Sequence, residues 1–122
     1  MALRILLVED NTHIRESIDI LLQGEGREIV SCESAEDALA AFGVQPFDVL
    51  VTDISLPEMS GIDLARRVLV MHPDTWVILS SGYALGSGLE KLGHQVRSLP
   101  KPFEIDAMDA LLEEIRSKLP RH

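Results

Sequence analysis

The sequence predicts an α/β fold: a single doubly wound parallel sheet of five strands, order 2-1-3-4-5, with helices on both faces. Three observations carry this. Short apolar runs alternate with segments of helical period along the whole chain. Three of the runs, Ile5-Leu6-Leu7-Val8, Val49-Leu50-Val51 and Val77-Ile78-Leu79, are continuously apolar, as strands buried on both faces are. The other two, at 29–32 and 96–99, are more polar, and Pro100 follows the second, which assigns both to sheet edges.

Taken in order, strand one spans 5–8 and is followed by a helix with Ile14, Ile18, Leu21 and Leu22 on one face, which Gly24 and Gly26 are placed to end. Strand two spans 29–32. Ser34 then reads as an N-cap, with Asp37 three residues on, before the apolar Ala38, Leu39 and Phe42. Strand three spans 47–51, and the helix after Gly61 carries Ile62, Ala65, Val68 and Leu69 until Pro73 stops it near His72. Strand four spans 76–79 and opens on Trp76, which reads as a packing residue. The fourth helix shows Leu85, Leu89 and Leu92, yet four of the chain's eight glycines crowd 82–93. Gly86 and Gly88, if helical, cost roughly 2 kcal/mol relative to alanine, so this helix is expected to be soft. After strand five, the last helix has Ile105, Met108, Leu112, Ile115 and Leu119 in a 3-4 stripe, with Glu104, Asp106, Asp109, Glu113 and Glu114 as a solvated face. No repeat or linker divides the chain, so 1–122 is expected to be one domain.

The 122 residues are 46% hydrophobic, and 20 Asp and Glu face 11 Lys and Arg for a formal charge of −9. That balance argues against direct nucleic-acid binding and against an anionic membrane surface, both of which need a basic excess. No apolar run is long enough to span a bilayer. The N-terminus passes straight into strand-like sequence without a signal-peptide layout, and the one cysteine, Cys32, forms neither a disulfide nor a cysteine-based zinc site. A soluble cytoplasmic protein is the expectation.

In an open α/β sheet, ligands bind outside the carboxyl ends of the strands near the switch in strand order. Glu9 and Asp10 stand after strand one, Asp53 after strand three, Ser80 and Ser81 after strand four, and Lys101 after strand five. Singly, an acidic pair makes a turn or cap, a serine caps a strand, and a lysine is solvated. Together they bring polar groups to one edge. Three converging carboxylates repel unless a cation neutralises them, and an all-oxygen set with room for water suits Mg²⁺. The four histidines form no cluster that would favour zinc or iron. A lysine and a hydroxyl facing carboxylate-bound Mg²⁺ make a receptor for a phosphoryl group, and a carboxylate can be the nucleophile that accepts it. The constellation reads as phosphoryl transfer onto Asp53.

The strings Leu6-Leu7-Val8-Glu9-Asp10, Asp53-Ile54-Ser55-Leu56-Pro57-Glu58-Met59-Ser60-Gly61, Ile78-Leu79-Ser80-Ser81-Gly82 and Lys101-Pro102-Phe103 resemble the receiver domain of two-component response regulators over essentially the whole chain. The resemblance implies the flavodoxin-like (βα)5 arrangement of the chemotaxis-regulator type. It implies that Asp53 accepts phosphate from a sensor histidine kinase or a histidine phosphotransfer protein. It further implies that Asp10 and Asp53 ligate Mg²⁺, with Glu9 acting through water and the Ser55 backbone carbonyl completing the set. Ser80 matches the switch hydroxyl, with Ser81 its rival, and Lys101 matches the phosphate-pairing lysine, before a Lys101–Pro102 peptide that is usually cis. The conformational change is expected around strands four and five and helix four. The face of helix four, strand five and helix five is also a candidate for a homodimer. The output partner is unknown. Ser98 departs from the family, which usually has an aromatic there, and Tyr83 lies nearby in sequence.

Three other readings share the residues. The chain could be a receiver excised from a hybrid histidine kinase, which the Ser80-Ser81-Gly82-Tyr83 run resembles. A Mg²⁺-dependent small-molecule phosphohydrolase could use the same carboxylates, but 122 residues leave little chain for a substrate cap. A flavodoxin-like phosphate-binding module shares the strand order, but Glu9 and Asp10 in its first loop would repel phosphate without a metal.

Overall fold

A computed structural model of the chain describes residues 2–81, 95–100 and 104–119. Its strands are β1 (Leu3–Val8), β2 (Arg27–Cys32), β3 (Val49–Asp53), β4 (Trp76–Ser81) and β5 (Val96–Pro100), and its helices are α1 (Thr12–Leu22), α2 (Ala35–Val44), α3 (Gly61–Met71) and α4 (Ile105–Lys118). The strands form one parallel sheet in the order β2-β1-β3-β4-β5, as the sequence predicts. The α4 helix is the last of the helices expected from the sequence. The soft helix expected between β4 and β5, with Tyr83, lies outside the described residues, as do Lys101, Pro102 and Phe103.

Strand alternation explains why the central runs are apolar throughout. In β1, Leu3, Ile5 and Leu7 pack with Ile18 and Leu22 of α1 and with Met108, Leu112 and Ile115 of α4. Leu6 and Val8 face the other way, against Ala38 and Phe42 of α2 and Leu64, Ala65 and Val68 of α3. Val49, Val51, Trp76 and Ile78 join the first core, and Leu50, Val77 and Leu79 the second. Each large side chain buried this way stabilises the fold by about 1.5–3 kcal/mol. The edge strand β2 has only one half-covered side, and Val30 is exposed.

Local chemistry sets the helix ends. Asn11, Ser34 and Ser60 each cap a helix by accepting from the backbone N–H three residues on, at 3.0, 3.1 and 3.1 Å. The α1 helix stops at Gln23, and the turn that follows uses Gly26 at φ +76°, a left-handed conformation that glycine adopts freely. Arg27 then ties three elements together. Its Nη1 donates to the carbonyl of Leu22 at 3.2 Å and pairs with Asp109 of α4 at 3.0 Å. Arg116 of α4 donates to the Gly26 carbonyl at 2.9 Å.

Some boundaries differ from the sequence reading. The β3 strand begins two residues later than expected because the Phe47 carbonyl accepts from the Thr75 hydroxyl at 3.2 Å, outside the ladder. It runs on through Thr52 and Asp53, whose backbones pair with Leu79 and Ser80. The β4 strand likewise continues through Ser80 and Ser81, β1 and β2 start two residues earlier, and β5 ends at Pro100. Ile14 and Ile105, placed on buried stripes by their period, are 39% and 54% exposed. Both sit in the first turn of their helix, at the sheet edge where the strands end. Among the described residues, no helix is long and apolar enough to cross a membrane.

Candidate functional site

Parallel β1 and β3 are neighbours, so their carboxyl ends open at one edge, and the residues there come together. Carboxylate oxygens of Glu9, Asp10 and Asp53 lie within 4.8 Å of one another. Glu9 is 1% exposed, Asp53 half-buried and Asp10 exposed. The group is graded from a closed inner wall to an open outer lip.

Glu9 is held at several points. Its N–H donates to the Cys32 carbonyl at 3.1 Å, continuing the β1–β2 ladder by one residue. Its Oε2 accepts from the Asn11 N–H at 3.1 Å, and its carbonyl accepts from Arg15 Nη1 at 2.8 Å. Asp53 is the last residue of β3, and its Oδ1 accepts from the Ser55 N–H at 3.3 Å. The chain then bends into α3: Ile54 donates to the Ser80 carbonyl at 3.1 Å, and Gly61 donates to the Ile54 carbonyl at 2.8 Å. This turn requires a glycine. A Cβ on Gly61 would stand 2.9 Å from the Asp53 carbonyl carbon and 3.0 Å from Ile54 Cα, with the Asp53 carbonyl oxygen closer still.

Ser80 is the register partner of Asp53 on the adjacent strand and is 2% exposed. Residues paired in parallel register share a face, so Ser80 belongs to the same side of the sheet as Asp53. Ser55 lies exposed in the β3–α3 loop. Lys101 lies outside the described residues. Arg15 and Asn11 are site residues that the sequence reading missed. Asn11 was legible as a cap residue three positions before Ile14; Arg15 had no such signal, because it acts on a backbone oxygen.

The donor set suits Mg²⁺. Opposite ligands of one octahedral Mg²⁺ lie about 4.2 Å apart, given Mg–O distances of about 2.0–2.1 Å. The 4.8 Å limit on these oxygens is within a small adjustment of that span. Beside the site runs an open groove of about 620 Å³, lined by Asp10, Glu33, Glu36, Pro57, Glu58 and Met59 among others. Glu36 faces Glu58 there, and a hydrogen bond to Glu58 that only the protonated form can make, with their mutual repulsion, raises the Glu36 carboxyl above its ordinary value. Cys32, half-buried behind Glu9, is pushed up to about 11, mainly by burial and then by Asp37.

The response regulator receiver domain model matches residues 5–113. The chain belongs to the response regulator receiver domain family. It is 34% identical to the response regulator protein FleR of Pseudomonas aeruginosa, over 98% of this chain and 26% of FleR. It is 36% identical to the receiver protein CpdR of Brucella abortus, over 66% of this chain and 68% of CpdR. The chain thus spans about a quarter of FleR's length. A CheY-like receiver domain from Methylobacillus flagellatus superposes with a TM-score of 0.84 at 27% identity, over 94% of this chain and 99% of that one. Receiver domains are the phosphorylation-dependent switches of two-component systems, act as phosphoacceptors and typically bind Mg²⁺ at an acidic pocket. Response regulators of this kind work with histidine kinases or phosphotransfer proteins.

Proposed function

We propose that residues 1–122 act as one receiver domain in which Asp53 accepts the phosphoryl group of a phosphohistidine, donated by a sensor histidine kinase or a histidine phosphotransfer protein. The observation that supports this most is the convergence of Glu9, Asp10 and Asp53 at the carboxyl edge of the sheet. A carboxylate oxygen of Asp53 forms the new O–P bond while the N–P bond of the donor breaks and its electron pair returns to the imidazole. Mg²⁺, when bound, neutralises the carboxylates and the phosphoryl oxygens. Asp10 and Asp53 hold it directly, Glu9 through water, and the Ser55 backbone carbonyl completes the protein ligands. Ser80 donates its hydroxyl to the phosphoryl group, and Lys101 pairs with its charge.

The three carboxylates carry −3, Lys101 offsets one charge, and the cation brings the site to neutrality. Phosphorylation then adds roughly one negative charge, which biases the segment between β4 and β5 and the face formed with α4. The domain works in the cytoplasm and assists its own phosphotransfer and dephosphorylation, without turning over a separate substrate. A phosphomonoester would meet Glu33, Glu36 and Glu58 in the neighbouring groove, which disfavours the hydrolase reading.

Acetyl phosphate with Mg²⁺ tests this. Intact mass should rise by one phosphoryl group in the wild type, and should stay unchanged in Asp53→Asn or after chelation of the metal. Equal labelling of wild type and Asp53→Asn would sink the assignment.

A further inference from the structure

Arg15 is a half-buried cation on α1 that the phosphotransfer reading does not use. Its guanidinium forks: Nη1 donates to the Glu9 carbonyl at 2.8 Å, and Nη2 reaches Thr12 Oγ1 at 3.5 Å. The Glu9 carbonyl belongs to the peptide unit that joins Glu9 to Asp10. A peptide unit is planar, so anchoring its oxygen restrains the plane that carries both Cα atoms. The neighbouring bonds hold Glu9 on its other sides, from its N–H to Cys32 and from Oε2 to the Asn11 N–H. Asp10 is exposed and holds its carboxylate close to two others.

We propose that Arg15 is a positioning residue for the divalent-cation site, holding the Glu9–Asp10 peptide so that both carboxylates face Asp53. The proposal rests on the assignment of these carboxylates as the cation site. Arg15 touches neither the cation nor the phosphoryl group; it acts through the backbone of the ligands, as outer hydrogen-bond partners do at metal sites. The fork also explains why arginine fits here. A lysine ammonium could meet the Glu9 carbonyl or the Thr12 hydroxyl but has no planar pair of donors with which to span them.

The test is calorimetric titration of the full 122-residue chain with Mg²⁺, for wild type, Arg15→Ala, Arg15→Lys and Arg116→Ala. Arg116 contacts Gly26 and Glu113 and serves as a stability control remote from the carboxylates. Loss of Arg15 should weaken Mg²⁺ binding about 10-fold, the lower end of outer-partner effects at metal sites, with Arg15→Lys intermediate and Arg116→Ala at the wild-type affinity. Metal-free hydrogen exchange gives a second readout that stands even if Arg15→Ala does not fold. In Arg15→Lys the Asn11 amide should exchange faster while the amides of residues 5–8 keep their protection. Wild-type affinity in a folded Arg15→Ala, or unchanged Asn11 exchange in Arg15→Lys, would overturn the proposal. Failure of the wild type itself to bind Mg²⁺ would instead overturn the cation site, and the Arg15 role with it.

Discussion

Gly61→Ala is the substitution in which the fold and the acceptor residue are most tightly linked. Gly61 is the first residue of α3, and its need is for space, since its φ is not positive. The added Cβ would stand 2.9 Å from the Asp53 carbonyl carbon and closer still to its oxygen, and all three close neighbours, Ile54 Cα included, are backbone atoms that cannot rotate away. Carbon atoms in contact prefer about 3.5–4.0 Å, and the Asp53 carbonyl oxygen is nearer still, so Asp53 and α3 must separate by about 1 Å. Overpacking of this kind costs about 1–3 kcal/mol, and the helix preference of alanine returns at most about 1 kcal/mol. At a denaturant slope of about 1–3 kcal/mol/M, the urea midpoint should fall by roughly 0.5–1 M. The same shift moves the Asp53 carboxylate, and misplacement near 1 Å costs about 10²-fold in rate, so labelling by acetyl phosphate should slow roughly 10- to 100-fold. Gly43→Ala is the matched control, because a Cβ there meets nothing within 4 Å. It should raise the midpoint and leave the rate alone. A Gly61→Ala protein with wild-type midpoint and wild-type rate would show that the close approach does not exist in solution.

Two further outcomes follow from the titrating groups. Cys32, pushed up to about 11 by burial and by Asp37, should alkylate far more slowly at pH 8 in the folded protein than in urea, and equal rates in both would refute its burial. Glu36 is raised by its contact with Glu58, so its contribution to stability is present below the unfolded-state value and is lost as pH rises through the folded one. Glu58→Gln should therefore raise the urea midpoint at pH 7 and lose that advantage in acid; a midpoint unchanged at pH 7 would show that the two carboxyls do not meet.

The topology was legible because burial on both faces leaves a mark that sequence can carry. Leu6 and Leu7 pack into different cores, and nothing polar can interrupt such a run. Strand ends were less legible, because there the backbone ladder, not the side chain, decides. Thr52, Asp53 and Ser80 stay in the sheet although they are polar, and Phe47 stays out although it is apolar. The helical period placed Ile14 and Ile105 inward, yet period cannot tell where a helix overhangs the strands. The carboxylates were legible through strand order alone, which names the neighbours at the edge. Arg15 and the Gly61 approach were not, since both act on backbone oxygens that every residue type possesses.

Trp76, the chain's one tryptophan, opens β4 at the end far from Asp53. The Arg97 guanidinium lies 5.2 Å and the Lys118 ammonium 5.8 Å from its ring centroid, and both cations also reach Glu114. Ser80 stands four residues along the strand, about 13 Å away at roughly 3.3 Å per residue. The indole is thus a natural optical gauge placed out of reach of the acceptor chemistry and seated where β5 and α4 meet β4. Any change in its emission on phosphorylation would record mechanical transmission down the sheet to α4, not the arrival of the phosphoryl group itself.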